Sequence, residues 1–139
     1  MIRRLVRLAL AALYAVAAVA HLVAPAPFVG ILPGWVPWPG AVVALTGVAE
    51  GLGAMALVQP WSARLRRAGA VGLALYALCV WPANVSHMLI DLARTDGGGL
   101  PLAYHLPRLA AQPLLIWAAL WAGEVLDWPF RRGARPAGE

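Results

Sequence analysis

The stretch from Gly40 to Val58, GAVVALTGVAEGLGAMALV, carries one charge, Glu50, and stops at Gln59-Pro60-Trp61. A helix rises about 1.5 Å per residue, so this run is long enough to cross a hydrocarbon core of about 30 Å. Similar runs flank it. Upstream, Leu5 to Val23 follows Met-Ile-Arg-Arg and ends before Ala-Pro-Ala-Pro. Its rival reading is a cleaved secretory signal, because Arg3, Arg4 and Arg7 make a basic front and Ala18-Val19-Ala20 mimics a cleavage site. Downstream, a third span is predicted over 68–90, with Pro82 interrupting its outer half. A fourth is predicted over 108–125, with Trp117 and Trp121 inside it and Trp128 after it.

Composition agrees with this pattern. Of 139 residues, 62% are hydrophobic and 12% charged, with a mean hydropathy of +0.73; soluble domains run near half apolar and a quarter charged. A soluble globular protein is excluded. The prediction is an all-α integral membrane four-helix bundle, antiparallel, with helices over 5–23, 40–58, 68–90 and 108–125. It forms one domain over 1–128, followed by a short basic cytoplasmic tail over 129–139. The net charge of +5 comes from 11 basic residues, all Arg, most of them at helix ends. They read as topology signals, not as a nucleic-acid surface. Arg3, Arg4, Arg7, Arg64, Arg66, Arg67, Arg131, Arg132 and Arg135 fall on one side, and Arg94 and Arg108 on the other. That bias places both termini in the cytoplasm. A single cysteine, Cys79, allows no internal disulfide, Cys-x-x-Cys pair or thiolate cage.

Residues 24–39 hold Pro25, Pro27, Pro33, Pro37 and Pro39 with Phe28, Trp35 and Trp38 and no charge. The segment reads as too broken for a helix and as lying in the membrane interface, where it would lid a pocket. Residues 91–107 read as a polar loop in which Gly97-Gly98-Gly99 is a hinge and His105 is solvated.

Polar groups inside the spans are the candidate site, since such groups are costly in lipid and face the bundle interior or a wet cavity. Glu50 is mid-span; its bland reading is a protonated or paired carboxyl that fixes packing, and Gly47 and Gly51 are spaced for close helix approach. His21 ends the first helix, and Asn84 and His87 share a face near the end of the third. The alternatives are a wetted interfacial ring for His21 and a local pair with Asp91 for His87. Arg108 and Gln112 are one turn apart on the fourth helix, with interfacial snorkelling as the alternative for Arg108. These six residues can converge, and Glu50 is expected to pair with Arg108. Tyr14 and Tyr76 read as interior packing residues, and Trp35, Trp38, Trp61 and Trp128 as interface anchors. No phosphate loop, zinc signature or nucleophile motif is present, so no metal site is expected.

Several segments together resemble the DoxX family of small four-helix bacterial membrane proteins. They are His21 and Pro25, Gly30-Ile31-Leu32-Pro33 through Trp35-Val36-Pro37-Trp38-Pro39, Thr46 through Gly53, Pro82-Ala83-Asn84, and Leu106-Pro107-Arg108-Leu109 with Gln112-Pro113 and Trp117. The resemblance spans roughly residues 5–125. It implies a four-helix bundle in the bacterial inner membrane. The family's name comes from a subunit linked to thiosulfate oxidation and quinone reduction, and other members are associated with redox stress or thiol metabolism beside soluble enzymes.

Two functions follow as expectations. One is a non-enzymatic scaffold or small-molecule binding module in lipid, with self-association left open. The other is a redox-associated subunit with quinone as its cofactor, in which His21 or His87 donates to a quinone oxygen and Glu50 exchanges the proton. Its electrons would come from a partner redox or thiol-metabolism enzyme.

Overall fold

A computed structural model of the protein describes residues 1–128; the expected tail over 129–139, with Arg131, Arg132 and Arg135, lies outside the described residues. The chain is all-helical: α1 (Ile2–Val23), α2 (Ala26–Gly30), α3 (Pro39–Val58), α4 (Ala63–Ala93) and α5 (Leu102–Ala122). Helices α1, α3 and α4 are long and apolar enough to cross a membrane, which marks a helical membrane protein. Helix α5 has 21 residues but is not among those apolar spans, because His105, Arg108 and Gln112 dilute its first half.

Helix α1 packs on α3, α3 on α4, α4 on α5 and α5 back on α1. On α1 the buried residues Leu10, Tyr14 and Ala18 recur every four positions and form one inward stripe. Leu8, Val16 and Val19 are exposed, as suits a surface solvated by lipid. The shared core is built largely of alanines, among them Ala54, Ala70, Ala118, Ala119 and Ala122, around Leu57 and Leu73. Small side chains let helix backbones come close, which is how helices gain packing in a solvent as apolar as themselves.

The turn between α3 and α4 is held by side chains. Gln59 Nε2 donates to the Ala56 and Ser62 carbonyls at 3.2 and 2.7 Å, and its Oε1 accepts from the Ser62 amide at 2.8 Å. Ser62 then caps α4, its hydroxyl accepting from the Leu65 amide at 3.2 Å. Near the start of α1 and α4, Glu124 accepts from Arg7 at 3.3 Å and Arg66 at 3.2 Å, while Arg3 reaches Asp127 at 2.8 Å. Three arginines expected only as topology signals thus tie α1 and α4 to the chain after α5.

Three expectations are corrected. Residues 26–30 form a helical turn, α2, because Pro27 sits in its first turn, where the missing N–H has no intrahelical role. Helix α4 spans 63–93 and α5 begins at Leu102, so only 94–101 connects them. Pro107 looked like a helix boundary, yet it and Pro113 lie inside α5, as membrane helices tolerate. The three glycines are not a free hinge. Arg94 donates to both Asp96 oxygens at 3.1 and 2.8 Å, and the Gly98 amide donates to Asp96 at 3.0 Å. The Arg94 hydrogen bonds, then the Gly98 amide, hold the Asp96 carboxyl well below the usual carboxylate range.

Candidate functional site

A cavity of about 470 Å³ lies within the helices. Helix α1 brings Tyr14 and His21 to it, α3 brings Glu50, α4 brings Tyr76 and Asn84, and α5 brings Arg108 and Gln112. The proline-rich segment covers it with Phe28, Ile31, Leu32, Pro33, Trp35 and Val36. Phe28 stacks on the His21 ring at 3.9 Å between centroids, which pins the lid to α1.

Glu50 is 2% exposed. His21 Nδ1 lies 2.8 Å from the Ala17 carbonyl and 3.0 Å from Glu50 Oε2. A carbonyl only accepts, so Nδ1 carries the proton and donates it back along α1. Oε2 has no hydrogen-bond partner among the described residues, so its contact with His21 is electrostatic. Tyr76 interacts with Glu50 from α4 and packs edge-on to Tyr14 at 6.1 Å. The Tyr14 hydroxyl and Gln112 Oε1 are likewise buried without a hydrogen-bond partner among the described residues. Three polar atoms on three helices therefore line one cavity with bonding capacity unspent.

Arg108 occupies another wall. Its Nη2 donates to Asn84 Oδ1 at 2.7 Å, and its Nη1 contacts His87 Nδ1 at 2.8 Å and the Tyr104 hydroxyl at 3.2 Å. The expected pairing of Glu50 with Arg108 is replaced by these separate partner sets. A guanidinium has no acceptor, so the His87 contact requires an unprotonated Nδ1. His87 Nε2 then lies 3.1 Å from Asp91 Oδ2, and the same oxygen accepts from His105 Nε2 at 3.1 Å.

Five of the six predicted site residues, His21, Glu50, Asn84, Arg108 and Gln112, line the cavity; His87 does not, and touches it only through Arg108. His105, expected to be solvated, is 1% exposed. The early start of α5 turns it onto the face of Arg108 and Gln112, at spacings of three and seven, and that spacing was the available signal. The local pair of His87 with Asp91, the alternative reading of His87, is present, whereas Tyr76 and Tyr104 were missed as site residues for lack of any motif. Among the described residues, one ligand atom each of His87, Asp91 and His105 lies within 4.8 Å of the others.

The fold and the site define a helical membrane protein with a largely apolar cavity, covered by the proline-rich segment and lined by a few buried polar groups. The chain belongs to the family DUF8561, a domain of unknown function, whose model matches residues 10–123. That match takes in all six predicted site residues, the lid, and Asp91 and His105. No curated protein and no solved structure matches the chain.

Proposed function

We propose that the protein is a DoxX-like, non-enzymatic small-molecule binding subunit of the bacterial inner membrane. In this reading α1, α3, α4 and α5 cross in alternating directions with both termini in the cytoplasm. The observation that carries it is the convergence on one cavity of the Tyr14 hydroxyl, Glu50 Oε2 and Gln112 Oε1, none with a hydrogen-bond partner among the described residues and only Oε2 approached by a charge partner, His21. A buried polar atom left unsatisfied costs about 1–3 kcal/mol, and three in one place favour a bound molecule that satisfies them. The lid side is apolar, so the ligand is amphipathic: an apolar body under Phe28 and Trp35, and a head that offers both a donor and an acceptor.

A second reading is a quinone head group served by a partner redox or thiol-metabolism enzyme, which would supply two electrons as the site supplies protons. It is favoured by the apposition of His21 and Glu50, an acid–base pair at a cavity wall. His87 drops out as a donor, since Arg108 engages it outside the cavity. His21 gives its Nδ1 proton to Ala17, so its neutral ring offers only an acceptor at Nε2. A quinone oxygen would have to meet the protonated ring, and a hydroxyl head the neutral one.

The test is binding of ubiquinone or menaquinone analogues, and recovery of copurifying lipids, with wild type, His21→Ala, Asn84→Ala and Gln112→Leu. Site-dependent binding of the quinone analogues supports a quinone carbonyl. Site-dependent recovery of another amphiphile supports the general reading. Equal weak partitioning by all four proteins would end both.

A further inference from the structure

Beyond the cavity, α4 and α5 build a second polar centre. Asp91 Oδ2 lies 3.1 Å from His87 Nε2 and 3.1 Å from His105 Nε2. The two imidazoles stand edge-on, 5.0 Å between centroids. His105 and Asp91 are buried, so the cluster is not a solvated surface group. We propose that His87, Asp91 and His105 form a binding site for a divalent transition metal of the zinc class, beside the cavity and joined to it through Arg108.

The donor chemistry supports this. Two imidazoles and one carboxylate suit zinc and its neighbours and leave a fourth position open. In a tetrahedral centre with bonds of about 2.0–2.1 Å, ligand atoms stand about 3.3 Å apart. Both contacts at Asp91 are already near that separation, so an ion needs chiefly to draw the two rings together.

Arg108 sets the condition for entry. It donates to His87 Nδ1 at 2.8 Å, which leaves the neutral ring's proton on Nε2, the atom the metal must take. Binding moves that proton to Nδ1 and likewise moves the His105 proton from Nε2 to Nδ1, so neither ring gains or loses one. The metal gains two nitrogen lone pairs, and Arg108 Nη1 must leave His87. The guanidinium keeps Asn84 through Nη2 and Tyr104 through Nη1. Arg108 is thus a positioning residue that opposes the metal through ring tautomer and charge. Replacing it with glutamine removes the charge and supplies an amide oxygen able to accept from a metal-bound ring, the usual support for such a ligand.

The experiment uses tag-free full-length protein in detergent, with Cys79→Ser as the background to remove thiolate binding. Zn²⁺ affinity is measured by competition with a chromophoric chelator, and ligand geometry by the Co²⁺ absorption spectrum. The expected result is one equivalent of metal with a nitrogen–oxygen spectrum, lost in His105→Ala. Arg108→Gln is expected to bind about tenfold more tightly. Because His105→Ala could fold poorly, the unaltered site is also tested by melting: Zn²⁺ should raise Tm and a chelator reverse it. No equivalent in the background protein, no Tm response, or the same Co²⁺ spectrum in a folded His105→Ala overturns the site. Equal or weaker binding by Arg108→Gln overturns the role of Arg108.

Discussion

A Cβ at Gly47 would stand 2.9 Å from His21 Cβ and 3.2 Å from the Ala18 carbonyl, whereas one at Gly51 would meet Ala18 at an ordinary 3.7 Å. The two glycines look equivalent in sequence, but only Gly47 sets how closely α1 and α3 approach beside the His21–Glu50 contact. Gly47→Val should force the helices apart at a cost of about 1–3 kcal/mol and pull His21 from Glu50, while Gly51→Ala should be close to neutral. Thermal unfolding in detergent compares them, and equal Tm values would refute the distinction. Glu50 and Arg108 touch different partners, so the losses from Glu50→Leu and Arg108→Leu should add within about 0.5 kcal/mol. Glu50→Leu with Tyr76→Phe should not add, because those two side chains interact directly. A double-mutant cycle separates the cases. Glu50 was legible in the sequence because a carboxyl within an apolar run is conspicuous in any fold. Its partner was not, since a partner across helices depends on their rotation.

The connection between α4 and α5 shows how one element supports another. Gly99 lies against the Asp91 carbonyl so closely that a Cβ there would collide with backbone, and Asp91 is the residue that both His87 and His105 face. Gly99→Ala should therefore disturb the cluster from outside it, read as altered His105 imidazole resonances in NMR; unchanged resonances would show that the loop yields. Asp96 ties the same loop to Arg94 and Gly98. Its folded carboxyl titrates below the ordinary value, so its contribution is present above the usual Asp range of about 4 and fades as the pH falls toward the depressed folded value. Acidification should speed exchange of the Gly98 amide after correction for intrinsic rates, and Asp96→Asn should abolish that added pH dependence. The loop's true length was hidden by Pro107, which signals a boundary in soluble helices but sits within α5. His105 was misplaced with it, because six more residues of helix carry it from solvent to the interior.

At the scale of the whole molecule, the charged end near Glu124 and the outward-facing apolar side chains do different things. The arginines bias orientation, and Arg7 and Arg66 also converge on Glu124. Glu124→Gln should destabilise the fold modestly, by about 1 kcal/mol, read as a small drop in Tm, because the group is partly exposed and its contacts are screened, and high salt should shrink the difference. A salt-independent loss would assign the effect to packing. The proposed orientation predicts that a carboxy-terminal reporter works in the cytoplasm and not outside it.

By itself the sequence determined that the chain is helical and of membrane type, that its punctuation by proline isolates a charge-free cover, and that a few polar groups stand where lipid would not solvate them. Those follow from composition and local period, which need no knowledge of neighbours. The tertiary structure alone decided that Glu50 meets His21 and Tyr76, that Arg108 meets Asn84 and His87, and that Asp91 gathers two histidines. Each of these contacts depends on the rotation and height of one helix against another. Those are set by close packing at alanines and glycines: the Gly47–Gly51 spacing marks a close approach, but which of the two sets it, and against which helix, only the neighbouring helix decides.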